Sequence, residues 1–173
     1  MLRRAFCGCR AKGCWRIQRG LDCQPDPASV GGEMLILGLD PGANTGVATF
    51  IDGALVHLRT IEPFEIPAAI RLASPQRVIF EDSRLQSHTW TQAKTRAAAL
   101  KMARNVGEID AWSKLIVSVF ADLGVASHGS SPKGKGAKLD AKQFEAVTGW
   151  CWKSNQHERD AAMVAWQFRG ARR

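Results

Sequence analysis

Four side chains able to bind a hard cation stand at three separated places in this 173-residue chain. Asp40 closes the apolar run Leu35-Ile36-Leu37-Gly38-Leu39 just before Pro41-Gly42. Glu81 closes a second run, Val78-Ile79-Phe80, and His157 and Asp160 sit together in a segment of helical periodicity. On a wheel of about 100° per residue, His157, Asp160, Ala161, Val164 and Phe168 share one stripe, while Glu158, Arg159 and Trp166 point elsewhere. The first turn of a core-facing stripe is therefore polar. A lone His157–Asp160 pair is satisfied by mutual contact or by a nearby lysine. Carboxylates at two strand ends need a further reason, because an isolated ionised carboxylate facing a core costs on the order of several kcal/mol. Convergence on a divalent cation supplies it. Three carboxylates and an imidazole leave open, water-filled positions on a hard cation. Two such ions about 4 Å apart hold an attacking water and a leaving oxygen in line across a phosphodiester. The chemistry implied is metal-assisted phosphodiester hydrolysis.

The elements that must position these groups are legible in outline. A strand is predicted over 34–40, a Gly/Asn turn over Pro41–Gly46, and a strand over 46–51. The Asp52-Gly53 pair signals a hairpin into a strand over 54–61, completing an antiparallel meander. Glu62-Pro63 to Ala73 allows a short helix, and 77–81 reads as a buried central strand ending at Glu81. Apolar residues recur at helical spacing over 91–123, with Gly107 permitting close packing or a bend. A brief strand over 125–128 leads into the basic, glycine-spaced loop Ser130–Lys138. Asp140 caps a short helix that Gly149 ends, and the last helix starts near Asn155, where Glu158 completes a capping box, and runs to about Phe168. No internal repeat is evident.

With 45% hydrophobic and 23% charged residues, the chain suits one ordinary domain plus a short appendage. No segment approaches the ~20 apolar residues that cross a bilayer, so no membrane association is expected. The net charge of +8 favours an anionic partner, most commonly nucleic acid. The first 33 residues carry six Lys/Arg against three acids, which leaves +5 beyond them. Four of the five cysteines, Cys7, Cys9, Cys14 and Cys23, lie in that stretch at a spacing that suits neither zinc knuckles nor a disulfide framework. Residues 1–33 are expected to form a basic leader without folded structure, or an over-extended start before Met34, and residues 34–173 the functional domain. Cys151, alone in the remainder, suits a reducing, cytoplasmic compartment.

Lys133, Lys135 and Lys138 suit a loop following a phosphate backbone, although a solvated charged loop has the same composition. Between Arg84 and Arg96, Trp90 sits among His88, Lys94 and Arg96, as a base-stacking or strand-separating element requires. Trp90 equally suits a core. Asp82 should face away from Glu81 by strand alternation, Glu158 reads as a capping residue, and Asp110 is expected in solvent or a subunit interface.

Together and in order, Gly38-Leu39-Asp40-Pro41-Gly42 with Thr45-Gly46, Val78-Ile79-Phe80-Glu81-Asp82 and His157-Glu158-Arg159-Asp160-Ala161-Ala162 resemble the RuvC-like Holliday junction resolvases of the RNase H-like superfamily. The segment Ala103-Arg104-Asn105-Val106-Gly107 and the Pro132–Lys138 loop also look like that family's, so the resemblance covers about residues 34 to 168. It implies an α/β fold with a mixed five-stranded sheet in the order 3-2-1-4-5 flanked by helices. It implies a Mg2+ or Mn2+ site, with two ions, built from Asp40, Glu81, His157 and Asp160. His157 stands where some members carry Asp. It further implies a homodimer cutting four-way or other branched DNA, in a bacterial cell or phage-infected host. A less specific RNase H-like nuclease and a non-catalytic nucleic-acid-binding module are the alternatives. The Asp-x-Gly turn is also similar to the phosphate loop of actin-like ATPases, but those pair two such domains and this chain has one.

Overall fold

The computed structural model describes residues 34–86 and 94–170, all within one unit, Gly32–Arg173, and the backbone alone at 134 and 135. The expected leader, residues 1–33, lies outside the described residues, as does Trp90. Five strands form one sheet: β1 (Leu35–Asp40), β2 (Thr45–Ile51), β3 (Ala54–Ile61), β4 (Arg77–Glu81) and β5 (Ala126–Ser130). Their order is β3-β2-β1-β4-β5, the mixed arrangement implied by the resemblance. Helix α1 (Ile66–Ala73) joins β3 to β4, the long α2 (Arg96–Leu123) joins β4 to β5, and α3 (Ala141–Thr148) and α4 (Gln156–Trp166) follow. Among the described residues no helix is long and apolar enough to cross a membrane.

The meander forms where the turn chemistry dictates. Asp52 (φ 49°) and Gly53 (φ 83°) both take left-handed backbone, as a two-residue hairpin turn demands. Asp52 is held there because its N donates to Met34 O (3.0 Å) and its Oδ1 accepts from Met34 N (2.9 Å). β1 pairs antiparallel with β2 and parallel with β4, and β5 extends the sheet parallel to β4. The crossovers through α1 and α2 are what parallel pairing requires.

Alternation along the strands assigns two faces. Leu37, Leu39, Val47, Val78 and Phe80 pack with Ile66, Ile70, Ile116 and Phe120 of α1 and α2. Ile36, Ala48, Phe50 and Ile79 pack on the other face with Phe144 of α3 and Ala161, Ala162, Val164 and Ala165 of α4. Each large side chain so enclosed contributes about 1.5–3 kcal/mol by area removed from water.

Two details depart from the sequence reading. β5 runs on to Ser130, because Gly129 and Ser130 pair with Phe80 and Glu81, and Asp82 N donates to Ser130 O at 2.9 Å. A Ser-His-Gly-Ser run has little strand propensity of its own; the neighbouring strand supplies the ladder. At Gly107 a side chain would meet nothing within 4 Å, so no close packing among the described residues depends on it.

Candidate active site

The two strand-end carboxylates come together through sheet register. β1 and β4 are parallel, with Leu39 opposite Phe80, so Asp40 and Glu81 are the next residues on adjacent central strands. Alternation gives both the face shared by Ile36 and Ile79, the face on which α4 packs.

Two glycines draw α4 down onto that face. A Cβ at Gly38 would lie 2.3 Å from Ala161 O, and one at Gly46 would lie 2.0 Å from His157 O. Helix backbone therefore rests against strand backbone at both ends of the His157–Ala161 turn, an approach that any side chain would block. The N-terminus of α4 is fixed from β3 as well. Asn155 Oδ1 accepts from Glu158 N (3.0 Å) and Glu158 Oε2 from Asn155 N (2.9 Å), the reciprocal cap expected for Glu158. Asn155 Nδ2 also donates to Thr60 Oγ1 at 2.7 Å.

So held, the helix presents its polar turn to the strand ends. His157 Nδ1 stands 3.5 Å from Asp40 Oδ2. Asp160 is buried at 4% exposure; its Oδ1 accepts from Gln156 Nε2 at 2.9 Å and its Oδ2 faces the Lys138 ammonium at 3.9 Å. His157 and Asp40 thus meet, while among the described residues no three His, Cys, Asp or Glu side chains are gathered as a metal-holding cluster. The donor types, three carboxylates and one imidazole, are of the kind that divalent cations accept, and a cation, the Lys138 ammonium, stands at Asp160.

Of the expected nucleic-acid contacts, Lys133 and Lys138 are exposed in the segment between β5 and α3, and Lys94 and Arg96 are exposed at the start of α2. The side chain of Lys135 and the whole of Trp90 and His88 lie outside the described residues. Lys138 thus combines an expected phosphate contact with an observed contact to Asp160.

Asp82 and Asp110 belong to a neighbouring cluster. Asp82 is buried, and its carboxylate holds the Arg84 guanidinium at 2.8 Å (Oδ1 to Nε) and 2.7 Å (Oδ2 to Nη2). That paired hydrogen bond is the main reason its pKa lies below the ordinary carboxylate value, against the opposing effect of burial. Arg84 is raised correspondingly, first by the same bond and then, after burial acting the other way, by the charges of Asp82 and Asp110. Asp110 is half-buried and accepts from Ser83 Oγ at 2.5 Å. Beyond the expected place of Asp110, solvent or a subunit interface, this bond ties the turn after β4 to α2.

Sequence reading missed Gln156 and Arg159. Arg159 falls off the core-facing stripe, yet its guanidinium donates to Leu139 O, Ser154 O and Gln156 Oε1. A wheel marks only the side facing the sheet, and these partners lie in loops. A charged residue next to a candidate ligand was the available signal.

No family model and no curated protein matches the chain. Among solved structures, Thermus thermophilus RuvC in complex with a Holliday junction substrate is similar at a TM-score of 0.52 and 16% identity, over 77% of this chain and 90% of that one. A further Thermus thermophilus RuvC structure has a TM-score of 0.48 at 13% identity, over 77% and 92%. At the first of these values the likeness is one of fold: the chain has the RuvC-like, RNase H-like fold.

Proposed function

We propose that this protein is a metal-dependent endonuclease that cuts branched DNA, with four-way junctions as the substrate. The observations that support it are the register that sets Asp40 and Glu81 side by side at the ends of β1 and β4, the 3.5 Å approach of His157 Nδ1 to Asp40 Oδ2, and the first turn of α4 drawn down on two glycines. Support comes from the net charge of +8 and from the fold it shares with a RuvC bound to a Holliday junction.

In this reading Asp40, Glu81, Asp160 and His157 hold Mg2+ or Mn2+, the carboxylates as anionic oxygen donors and the imidazole through a neutral nitrogen. Bound divalent ions supply Lewis acidity toward the scissile phosphate and a more acidic water. The chain's own groups do the rest. Asp40 at the tip of β1 and Glu81 at the tip of β4 concentrate negative charge at a position fixed by backbone hydrogen bonds, so little reorganisation is needed when a substrate arrives. Lys138, mounted on a loop, is placed to exchange Asp160 for a substrate phosphate. Lys133, Lys94 and Arg96 extend positive charge beyond the site, and Lys135 and Trp90 are further proposed contacts.

Junctions have two-fold symmetry, and paired cuts need two sites in one particle. We place the contact on α2. On a helical wheel Leu100 (62% exposed) lies on the side away from the buried Ile116 and Phe120, and Leu115 (36% exposed) lies about 60° from it, between Leu100 and the buried Val119.

The test is cleavage of a labelled four-way junction, beside fork and linear DNA, by wild type and Asp40→Asn in Mg2+. Paired symmetric cuts that vanish in the variant support the resolvase. Equal cutting of fork and linear DNA makes it a general nuclease, and binding without cutting in either Mg2+ or Mn2+ makes it a binding module.

A further inference from the structure

The reading of Asp160 as a metal ligand leaves open what orients its carboxylate. Gln156 and Arg159 form a chain of contacts leading to it, assembled within one helical turn. Gln156 Nε2 donates to Asp160 Oδ1 at 2.9 Å, and Gln156 Oε1 accepts from Arg159 Nη2 at 2.9 Å. A guanidinium has no acceptor, so it admits only the oxygen end of an amide, and the amide's NH2 must then point at Asp160. Neither the amide flip nor the carboxylate rotamer is left to chance.

Arg159 is itself immobilised. Its Nε donates to Leu139 O at 3.0 Å, and its Nη1 donates to Ser154 O at 2.7 Å and contacts Ser154 Oγ at 3.4 Å. Those carbonyls belong to the segment before α3 and the segment before α4, so the guanidinium is gripped from two loops while its remaining edge faces Gln156. Leu139 also follows Lys138, whose ammonium stands at the other oxygen of Asp160.

We propose that Arg159 is a positioning residue that acts through Gln156 to hold Asp160 Oδ1 in a donated hydrogen bond, turning Oδ2 toward the cation position. The inference rests on Asp160 being a metal ligand. Partners that orient a ligating carboxylate typically account for about 10–100-fold in metal affinity. Lysine cannot replace Arg159, because an ammonium lacks the planar fork that reaches two loop carbonyls and an amide at once.

The experiment is Mn2+ titration of the full chain, with free Mn2+ read by electron paramagnetic resonance, on wild type, Asp160→Asn, Gln156→Leu, Arg159→Met, Arg159→Lys and the Gln156→Leu/Arg159→Met double variant. Thermal unfolding in EDTA runs alongside. Gln156→Leu and both Arg159 variants should weaken Mn2+ binding about tenfold. The double variant should stay within about twofold of Gln156→Leu, because the two residues act in series. Gln156 is half-buried at the surface end of the turn, so its variant keeps the test available if Arg159→Met folds poorly. Wild-type Mn2+ affinity in Gln156→Leu, or Arg159 variants that lower the melting temperature while binding Mn2+ as wild type, overturns the inference alone. A wild type that binds no Mn2+, or binds it equally well as Asp160→Asn, overturns the metal-site reading and the inference with it.

Discussion

At the scale of single residues, the site depends as much on what is absent as on what is present. Gly38 and Gly46 carry no Cβ, and helix backbone occupies the room it would need. Backbone cannot swing aside as a flexible side chain can. Gly46→Ala and Gly38→Ala should each destabilise the fold by about 1–3 kcal/mol, seen as a lower urea midpoint. They should also weaken cleavage by displacing His157 and Asp160. A fully stable Gly46→Ala would contradict the close approach of α4. Asp82 offers a second test at this scale. Its pKa is depressed in the folded chain, chiefly by the Arg84 hydrogen bond, so its stabilisation is complete above the ordinary carboxylate value and is lost as the pH falls through the folded one. The stability difference between wild type and Asp82→Asn should therefore shrink as the pH drops from about 5 toward 2. A difference that stays constant over that range would rule out a carboxylate stabilised in this way.

At the scale of elements, α2 and α4 are held by different means. α4 is short, capped by Asn155 and Glu158 and fastened to β3 through Thr60. Losing the Asn155 cap should cost about 1 kcal/mol, so Asn155→Ala should lower the melting temperature measurably. α2 is much longer, and its buried residues, Ser113, Ile116, Val119 and Phe120, all belong to its C-terminal half. Gly107 lies outside that packed half with open space around it. Gly107→Ala should accordingly stabilise by about 0.5–1 kcal/mol, through helix propensity and a less flexible unfolded chain. Destabilisation would reveal a neighbour at that position, such as a second copy of the chain.

At the scale of the whole molecule, charge and symmetry make separate predictions. DNA affinity should fall steeply with salt, and Lys133→Ala should flatten the log–log slope by about one unit while changing sequence preference little. If α2 joins two copies, Leu100→Glu with Leu115→Glu should sediment as monomer and nick junctions on one strand instead of making paired cuts. A double variant that sediments as wild type places the interface elsewhere.

Sequence patterns alone determined most of the framework. Alternation, the Asp52-Gly53 turn, the capping boxes and the apolar run ending at Glu81 are local signals, and the strands, helices and mixed sheet order follow from them once the resemblance supplies the topology. The four candidate ligands were legible because a charge at the end of an apolar run or on an apolar stripe violates a local rule. What only the tertiary structure decided is how these residues meet. Strand register set Asp40 beside Glu81, Gly38 and Gly46 set the depth of α4, and β4 turned Gly129-Ser130 into strand. The bond from Ser83 to Asp110 was not legible for the same reason, since the two residues lie on different elements. Arg159 escaped notice because periodicity ranks residues by the side of the helix facing the sheet, whereas its partners are loop carbonyls whose positions exist only after folding. Local chemistry names the groups a site can use; long-range packing sets their distances, and coordination depends on distance.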